Sequence, residues 1–435
     1  LRVWLANHYA VPPNIAGITR HFELGAEWAK EEETEVTLFT SSFLHPRRTS
    51  VTEEEKNGYD KPDRLKVKWL WSFPHKKNDF KRIINMGSFA LSFLFSGLFQ
   101  TRPDVLVASS PHLFTAFSGW MLAKIKRCPF VMEVRDLWPD SLIKMGGLNN
   151  GAIISLLNWM ESFLYRKADQ IIVLTAHQRK FIRDKGIDES KIDLIPNGIV
   201  LGSWQHDPER RTSYKRKMGV AESEFVAVYT GAHGPANALE YVVEAGEYLE
   251  PGSSIVLIGD GPEKEKLVQL KQSKGLENIH FLDPVPKSEI FNYTEAADCG
   301  IISLADNEVF RGARPNKLFD YTFIGQPIIT TVDGEVREIV EENQVGFFAG
   351  AEDPKGLAQA IKRAKELSVE EREAIKQRGL HYIDREGDRV KLAAKFYRIL
   401  KNLVASRETT QEDDIATASE ESLPDTTSNK EKPGA

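Results

Sequence analysis

Cysteine is nearly missing: Cys128 and Cys299 are the only two in 435 residues. They lie far apart and show no metal-ligand spacing, which excludes a disulfide framework and points to a reduced, cytoplasmic setting. The usual signatures of covalent and metal catalysis are also missing. There is no G-x-S-x-G, no G-x4-G-K-[ST], no H-E-x-x-H, no C-x-x-C and no G-x-G-x-x-G. No cofactor and no metal site are expected. What remains is chemistry done by positioning and by stabilising a charged leaving group. No secretory leader is visible, since the chain opens on the strand-like "LRVWLANHY".

Charge of one sign is not abundant either, with 57 Lys/Arg against 63 Asp/Glu, a net of -6. The distribution carries more information than the sum. Residues 406–435 hold 3 basic and 8 acidic side chains, whereas residues 61–102 hold 9 basic ones against Asp63 and Asp79. A basic stretch therefore lies in the first half and an acidic tail at the end. The tail has almost no large apolar residues to offset ordering entropy, which predicts disorder over 406–435.

The rest of the chain alternates. Apolar, β-rich runs at 3–6, 36–40, 67–71, 104–110, 130–134, 170–175 and 192–197 are separated by helix-like stretches such as 18–31, 114–126 and 151–167. A second series follows at 224–231, 254–261, 279–283, 299–304 and 327–331. Such alternation predicts parallel sheets covered by helices on both faces, and two series predict two doubly wound α/β domains. The expected division is 1–205, 206–388 and a last amphipathic helix over 389–405 that returns toward the first domain. Ligands of such sheets bind at the carboxyl ends of strands, against helix N-termini.

Several loops fall there. Gly17 precedes a helix at about residue 18, and Gly231, Gly234 and Gly261 lie in two further strand-glycine-helix turns. Each is open to a plain turn role, and together they suggest a backbone that approaches an anion. His233 reads equally as a ligand contact or a loop residue. "EVRDLWPDSL" puts Arg135 and Asp136 at a strand end, where either catalysis or a turn aspartate fits. "FRGARPNKLFDYTFIGQPIIT" gathers Arg311, Arg314 and Lys317 around a proline just before a short helix, the arrangement expected around an anion.

"EVRDLWPDSL", "LYRKADQIIVLT", "IPNGI", "YTGAHG", "LIGDGPEKEKL", "EIFNYTEAADCGIISL" and "RPNKLFDYTFIGQPIIT" occur in this order. Together they resemble the family-4 glycosyltransferases of the GT-B fold, most nearly the bacterial O-antigen and capsule branch of L-fucosamine type, across about residues 3–405. The resemblance implies retaining transfer from a nucleotide sugar, with UDP expected, and a diphosphate at the opening cations. It implies that Arg314, Lys317 and the N–H groups near Leu318 serve the phosphates, Asp320 the ribose, Val285 the nucleobase, and Gly17 the phosphates from the first domain. Arg135 and Asp136 take a role at the donor–acceptor junction. The family's Glu-x7-Glu is incomplete, because Gly312 stands at the first glutamate and Asp320 at the second.

"IINMGSFALSFLFSGLF" (83–99) carries no charge over 17 residues, beside Lys81, Arg82 and Arg102. It sits at the short edge for a span, holds Asn85 and three serines, and lies within the sheet alternation, which a span would split, so a span is rejected. A core helix and a helix touching an anionic membrane surface both fit. The expected partners are a nucleotide sugar and an oligosaccharide or polyprenyl-diphosphate-linked acceptor, with the protein peripheral on the inner face of the plasma membrane; nucleic acid is not expected. A UDP-sugar 2-epimerase and a catalytically inactive assembly partner are the competing readings.

Overall fold

The computed structural model describes residues 1–421 apart from 45–46, 76–79, 146, 203 and 208. The first sheet has seven strands: β1 (Arg2–Ala6), β2 (Glu35–Ser41), β3 (Leu65–Leu70), β4 (Val105–Ser109), β5 (Phe130–Val134), β6 (Gln170–Val173) and β7 (Ile192–Leu194). The second has six: β8 (Phe225–Thr230), β9 (Ser253–Ile258), β10 (Ile279–Leu282), β11 (Cys299–Ile302), β12 (Ile328–Thr330) and β13 (Gly346–Phe348). The orders are β3-β2-β1-β4-β5-β6-β7 and β10-β9-β8-β11-β12-β13, with parallel pairing throughout. Central strands such as "VLVAS" and "SSIVLI" are buried along their whole length, as helices on both faces require. In each sheet the order reverses beside the first strand, so the loops after β1 and β4, and after β8 and β11, diverge and open a crevice.

Every strand run expected from the sequence is present. Two short elements were not foreseen: β13, whose "GFF" is brief and opens on glycine, and a small antiparallel hairpin of Phe43–Leu44 with Thr49–Ser50.

The chain crosses between the domains twice. Ile199 N–H donates to Gly387 O at 2.8 Å and Arg389 N–H to Ile199 O at 2.8 Å, so the two crossings form a short parallel bridge. The last helix, Arg389–Glu421, then packs on the first domain. Leu392, Ala393, Phe396, Tyr397 and Leu400 join the core around Trp28, whose indole N–H donates to Ala393 O at 2.9 Å.

The expected disorder of 406–435 needs correction, because this helix continues to Glu421. Its packed first turns supply the nucleus, and Arg, Glu, Gln and Ala with neither Gly nor Pro before Pro424 let it propagate. Residues 422–435 lie outside the described residues.

Beneath the crevice of the first domain lies a buried charge network. Glu133, at the end of β5, is fully buried. Its Oε1 accepts from Arg20 Nε at 2.8 Å, and its Oε2 from His21 Nε2 at 2.6 Å and Ser109 Oγ at 2.6 Å. Arg20 also donates to Pro196 O at 2.6 Å and Ile195 O at 2.9 Å, in the segment leading to the first crossing. Burial alone raises the Glu133 pKa; His21 and Arg20 overcome it and hold the carboxyl well below its ordinary range. Burial keeps His21 below its own ordinary value, so it serves as a neutral donor.

Glu133→Gln leaves the Arg20 guanidinium buried without its counter-charge. The expected loss at pH 7 is about 3–5 kcal/mol in urea unfolding. Since the folded pKa is depressed, the stabilisation is complete above the ordinary carboxylate range and declines as pH falls through it. The gap between wild type and Glu133→Gln should therefore narrow as pH falls below about 4, and a gap that widens in acid would contradict the charge assignment.

Candidate functional site

The second domain builds its half of the site where β8 ends. Gly231 turns the chain at φ +144°, and a Cβ there would stand 3.3 Å from Lys317 Nζ and 3.4 Å from the Tyr229 hydroxyl. Lys317 lies in the first turn of helix Asn316–Ile324, which starts after Pro315 without a side-chain cap. Tyr321, one turn further, pins this helix to the sheet. Its hydroxyl accepts from Thr230 N–H at 3.0 Å and donates to Val228 O at 3.3 Å. With the helix so held, the Lys317 ammonium sits over the Tyr229 ring, 3.7 Å from its centroid. Burial pushes its pKa down to about 7, against the opposing charge of Asp320 one turn on. A cation so depressed gains more than an exposed one from an arriving anion.

His233 follows in the same loop and is fully buried. Its N–H donates to Asp260 O at 2.8 Å and its carbonyl accepts from Glu263 N–H at 3.0 Å, which ties this loop to the turn after β9. Neither ring nitrogen has a partner among the described residues. Burial, then the nearby Lys264, lowers the imidazole to about 4, so it is neutral at pH 7. Gly261 lies under this loop, where a Cβ would come within 2.3 Å of His233 O; close packing of two loops accounts for its glycine. Val285 lies in the loop after the edge strand β10, half-buried against the second-domain core. The Leu318 N–H donates to Pro315 O at 3.1 Å, closing the first turn of the helix.

The first domain contributes Gly17, Arg135 and Asp136. Gly17 adopts φ +154° with Val11 packed where its Cβ would be, ahead of helix Arg20–Trp28, which also starts without a side-chain cap. Arg135 N–H donates to Ser110 Oγ at 2.8 Å, and Arg135 O accepts from Gln178 Nε2 at 2.8 Å. Asp136 keeps solvent contact inside the crevice, yet the surrounding protein raises its pKa and Arg135 only partly opposes this. Tyr9 lies close to both Asp136 and Arg82, whose charges act on its hydroxyl. His8 and His112 meet at 2.7 Å, and burial lowers His112 to about 3.

The two halves touch along a seam that sequence reasoning did not find. Arg314, expected to be free for a phosphate, pairs through Nε with Glu335 Oε1 at 2.5 Å. The same oxygen accepts from Ala176 N–H of the first domain at 3.3 Å. Asn197 Nδ2 donates to Arg314 O at 3.3 Å, and Lys144 pairs with Glu308 at 3.0 Å. Gly312 abuts His177: a Cβ on Gly312 would be 2.3 Å from the His177 Cβ and Cγ. Glu335 had a signal, since Gly334–Glu335 is one more glycine turn between a strand and a helix, here β12 and Glu335–Glu342. His177 had none, because its partner is a glycine 135 positions away.

Lys317 sets a pH test. An anion beside Lys317 would favour its protonated form, so affinity for such an anion should fall as pH rises above about 7. Calorimetry with UDP-glucose in two buffers of different ionisation enthalpy should show proton uptake near pH 7.5 in wild type and none in Lys317→Ala, with affinity about 10–100-fold lower in the variant.

Comparison with known proteins bears on the family and the fold. Residues 16–198 match the glycosyl transferase 4-like domain and residues 210–381 the glycosyl transferases group 1 model. The chain is 22% identical over 330 residues to an Escherichia coli (strain K12) protein assigned as the colanic acid biosynthesis glycosyl transferase WcaI, covering 74% of this chain and 81% of the relative. It is 21% identical to a Pseudomonas aeruginosa protein assigned as the glycosyltransferase WbjE, covering 68% and 76%. Among solved structures, Anabaena Alr3699/HepE in complex with UDP-glucose superposes with a TM-score of 0.69 at 15% identity, over 92% of this chain and 99% of that one. WaaG, a glycosyltransferase involved in lipopolysaccharide biosynthesis, gives 0.66 at 16% identity, over 92% and 99%.

Proposed function

The chain belongs to the family-4 glycosyltransferases of the GT-B fold, and from that premise we propose that it moves a sugar, with retention, from UDP to a glycan or polyprenyl-diphosphate-linked acceptor in cell-surface polysaccharide synthesis. The observation that carries this reading is Lys317, held over Tyr229 and against Gly231 at the start of an uncapped helix. As the bond between the anomeric carbon and the phosphate oxygen breaks, the departing diphosphate takes the electron pair. A cation that gains strength from a nearby anion stabilises that charge. In this reading Asp320 accepts from the ribose and His233 meets a polar group of the donor. Asp136, beside Arg135, faces the crevice from the acceptor side. The HepE structures hold UDP-glucose, or UDP with glucose, on a similar fold, which supports UDP. The names of WcaI and of the Bacillus subtilis protein assigned to teichuronic acid synthesis, TuaC, support a surface polysaccharide as product.

The membrane enters through helix Phe80–Leu98. Its inner face, Met86, Phe89, Ala90 and Phe93, is buried in the first-domain core, while Phe80, Ile83, Leu91 and Phe95 face outward, with Phe99 84% exposed. Helices Leu113–Lys126 and Gly151–Lys167 lie alongside and expose Ile125, Ile153, Leu156 and Trp159. Exposed Lys81, Arg102, Lys124 and Arg127 lie on or near these elements. Among the described residues no helix is long and apolar enough to cross a membrane. An apolar face ringed by cations suits adsorption to an anionic bilayer, where a lipid-linked acceptor resides.

Calorimetry with UDP, GDP and ADP tests the donor. Preference for UDP supports the reading, and binding of none of the three would move the inactive-partner reading to the front. Activity abolished by EDTA and restored by magnesium would overturn the assignment of charge neutralisation to Lys317. For the membrane, Leu91→Glu with Phe95→Glu should reduce flotation with phosphatidylglycerol vesicles at least several-fold and leave UDP affinity unchanged. Equal flotation of the variant would remove this surface from the account.

A further inference from the structure

The glutamate that the family places at Gly312 has no room here, because the Cβ and Cγ of His177 fill that space from the opposite domain. A carboxylate nevertheless reaches the same seam from the next loop. Glu335 opens helix Glu335–Glu342 after β12, at the carboxyl end of the sheet where the donor half of the site lies. It is only 7% exposed. One of its oxygens is in ion-pair contact with Arg314 Nε at 2.5 Å and accepts a hydrogen bond from Ala176 N–H at 3.3 Å, while Arg314 Nε and Nη1 make no hydrogen bond among the described residues. The other, Oε2, is buried and has no hydrogen-bond partner among the described residues. A buried carboxylate oxygen left without a donor costs free energy, so a native site holding one calls for a partner that arrives later.

Position narrows what that partner is. Arg314, which fixes Glu335, is three residues before Lys317, whose ammonium marks the anion site. Ala176 and His177 bring the first domain against the same spot. A group between the two domains, next to the diphosphate position and able to donate to a carboxylate, has the chemistry of a sugar hydroxyl. The phosphates and the nucleobase carbonyls accept rather than donate.

We propose that Glu335 is a donor-positioning residue, whose Oε2 accepts a hydrogen bond from a hydroxyl of the sugar carried by the nucleotide, with Arg314 and Ala176 N–H fixing its orientation. This rests on the UDP-sugar reading above and deepens it. The carboxylate absent from Gly312 is supplied from a different loop, and Arg314 acts through Glu335 rather than on the phosphate alone. An acceptor held by an ion pair and a backbone N–H loses little freedom when the sugar arrives, which suits it to discriminate among hydroxyl configurations.

The test is titration of the full chain with UDP, UDP-glucose, UDP-galactose and UDP-N-acetylglucosamine, in wild type, Glu335→Ala and Glu335→Gln, with thermal melting of each. Wild type is expected to hold at least one UDP-sugar more tightly than UDP. Glu335→Ala should cut that preference at least tenfold while UDP affinity stays within about twofold. Glu335→Gln, nearly the same shape and still an acceptor, should recover part of it, and it carries the test if the alanine variant does not fold. A preference that survives in both variants overturns the proposal. So does an equal weakening of UDP and UDP-sugars, the mark of a residue that only pins the domains, or a wild type that binds UDP and prefers none of the sugars. Failure of wild type to bind UDP would instead defeat the UDP-sugar reading on which the proposal stands.

Discussion

A single carboxylate buried at the end of β5 sets the terms for the first domain. Glu133 stays ionised with no solvent contact because Arg20, His21 and Ser109 all point hydrogen at it. That arrangement decides more than stability. Arg20 is the first residue of the helix that follows the Gly17 turn, so the ion pair fixes where this helix begins. Through Pro196 O and Ile195 O the same guanidinium holds the segment entering the first crossing. A hydrophobic replacement could match the stability, but it could not join a helix start, a central strand and a linker at one point.

The crossings extend this logic. Arg389 donates to Gly198 O at 2.6 Å and pairs with Glu23 at 3.1 Å, so the last helix is tied to the same helix that Arg20 begins. Arg135 lies close enough to feel Glu133 and Arg20. The crevice floor thus gathers Arg20, Arg135 and Arg389 around Glu23, Glu133 and Asp136, a balanced set of charges that ties the helix starts, the strand end and the crossings together.

How far this could be read from the sequence follows from the range of each interaction. Strands β1 to β12 were legible because burial on both faces writes an apolar run into a few consecutive residues. β13 was not, because "GFF" is too short to differ from a loop. The tail was misread because composition speaks about burial, whereas Arg389–Glu421 gains its nucleus from packing of its first turns. At the site, Gly231, His233 and Asp320 lie near Lys317, and all four were legible because they sit beside strand ends and helix starts that the alternation marks. Arg314 was placed correctly along the chain, but its partner was not foreseen. Glu335, Ala176 and Asn197 belong to three separate segments, and no local pattern in any of them announces a contact with another.

The two half-sites also differ in how they await the substrate. Lys317 is depressed to about 7 by burial, so an anion placed beside it would restore its charge. Asp136 is pushed the other way, raised by its surroundings, and an anion nearby raises it further. Arg135 opposes this, since its charge acts on Asp136 directly, while Ser110 Oγ and Gln178 Nε2 hold its backbone N–H and carbonyl in place. Lys317 and Arg135 therefore differ in what they answer: the first is strengthened by an anion beside it, and the second lowers the neighbouring Asp136 carboxyl. Exchanging a cation between the two positions would preserve the net charge of the crevice and lose the separation of roles.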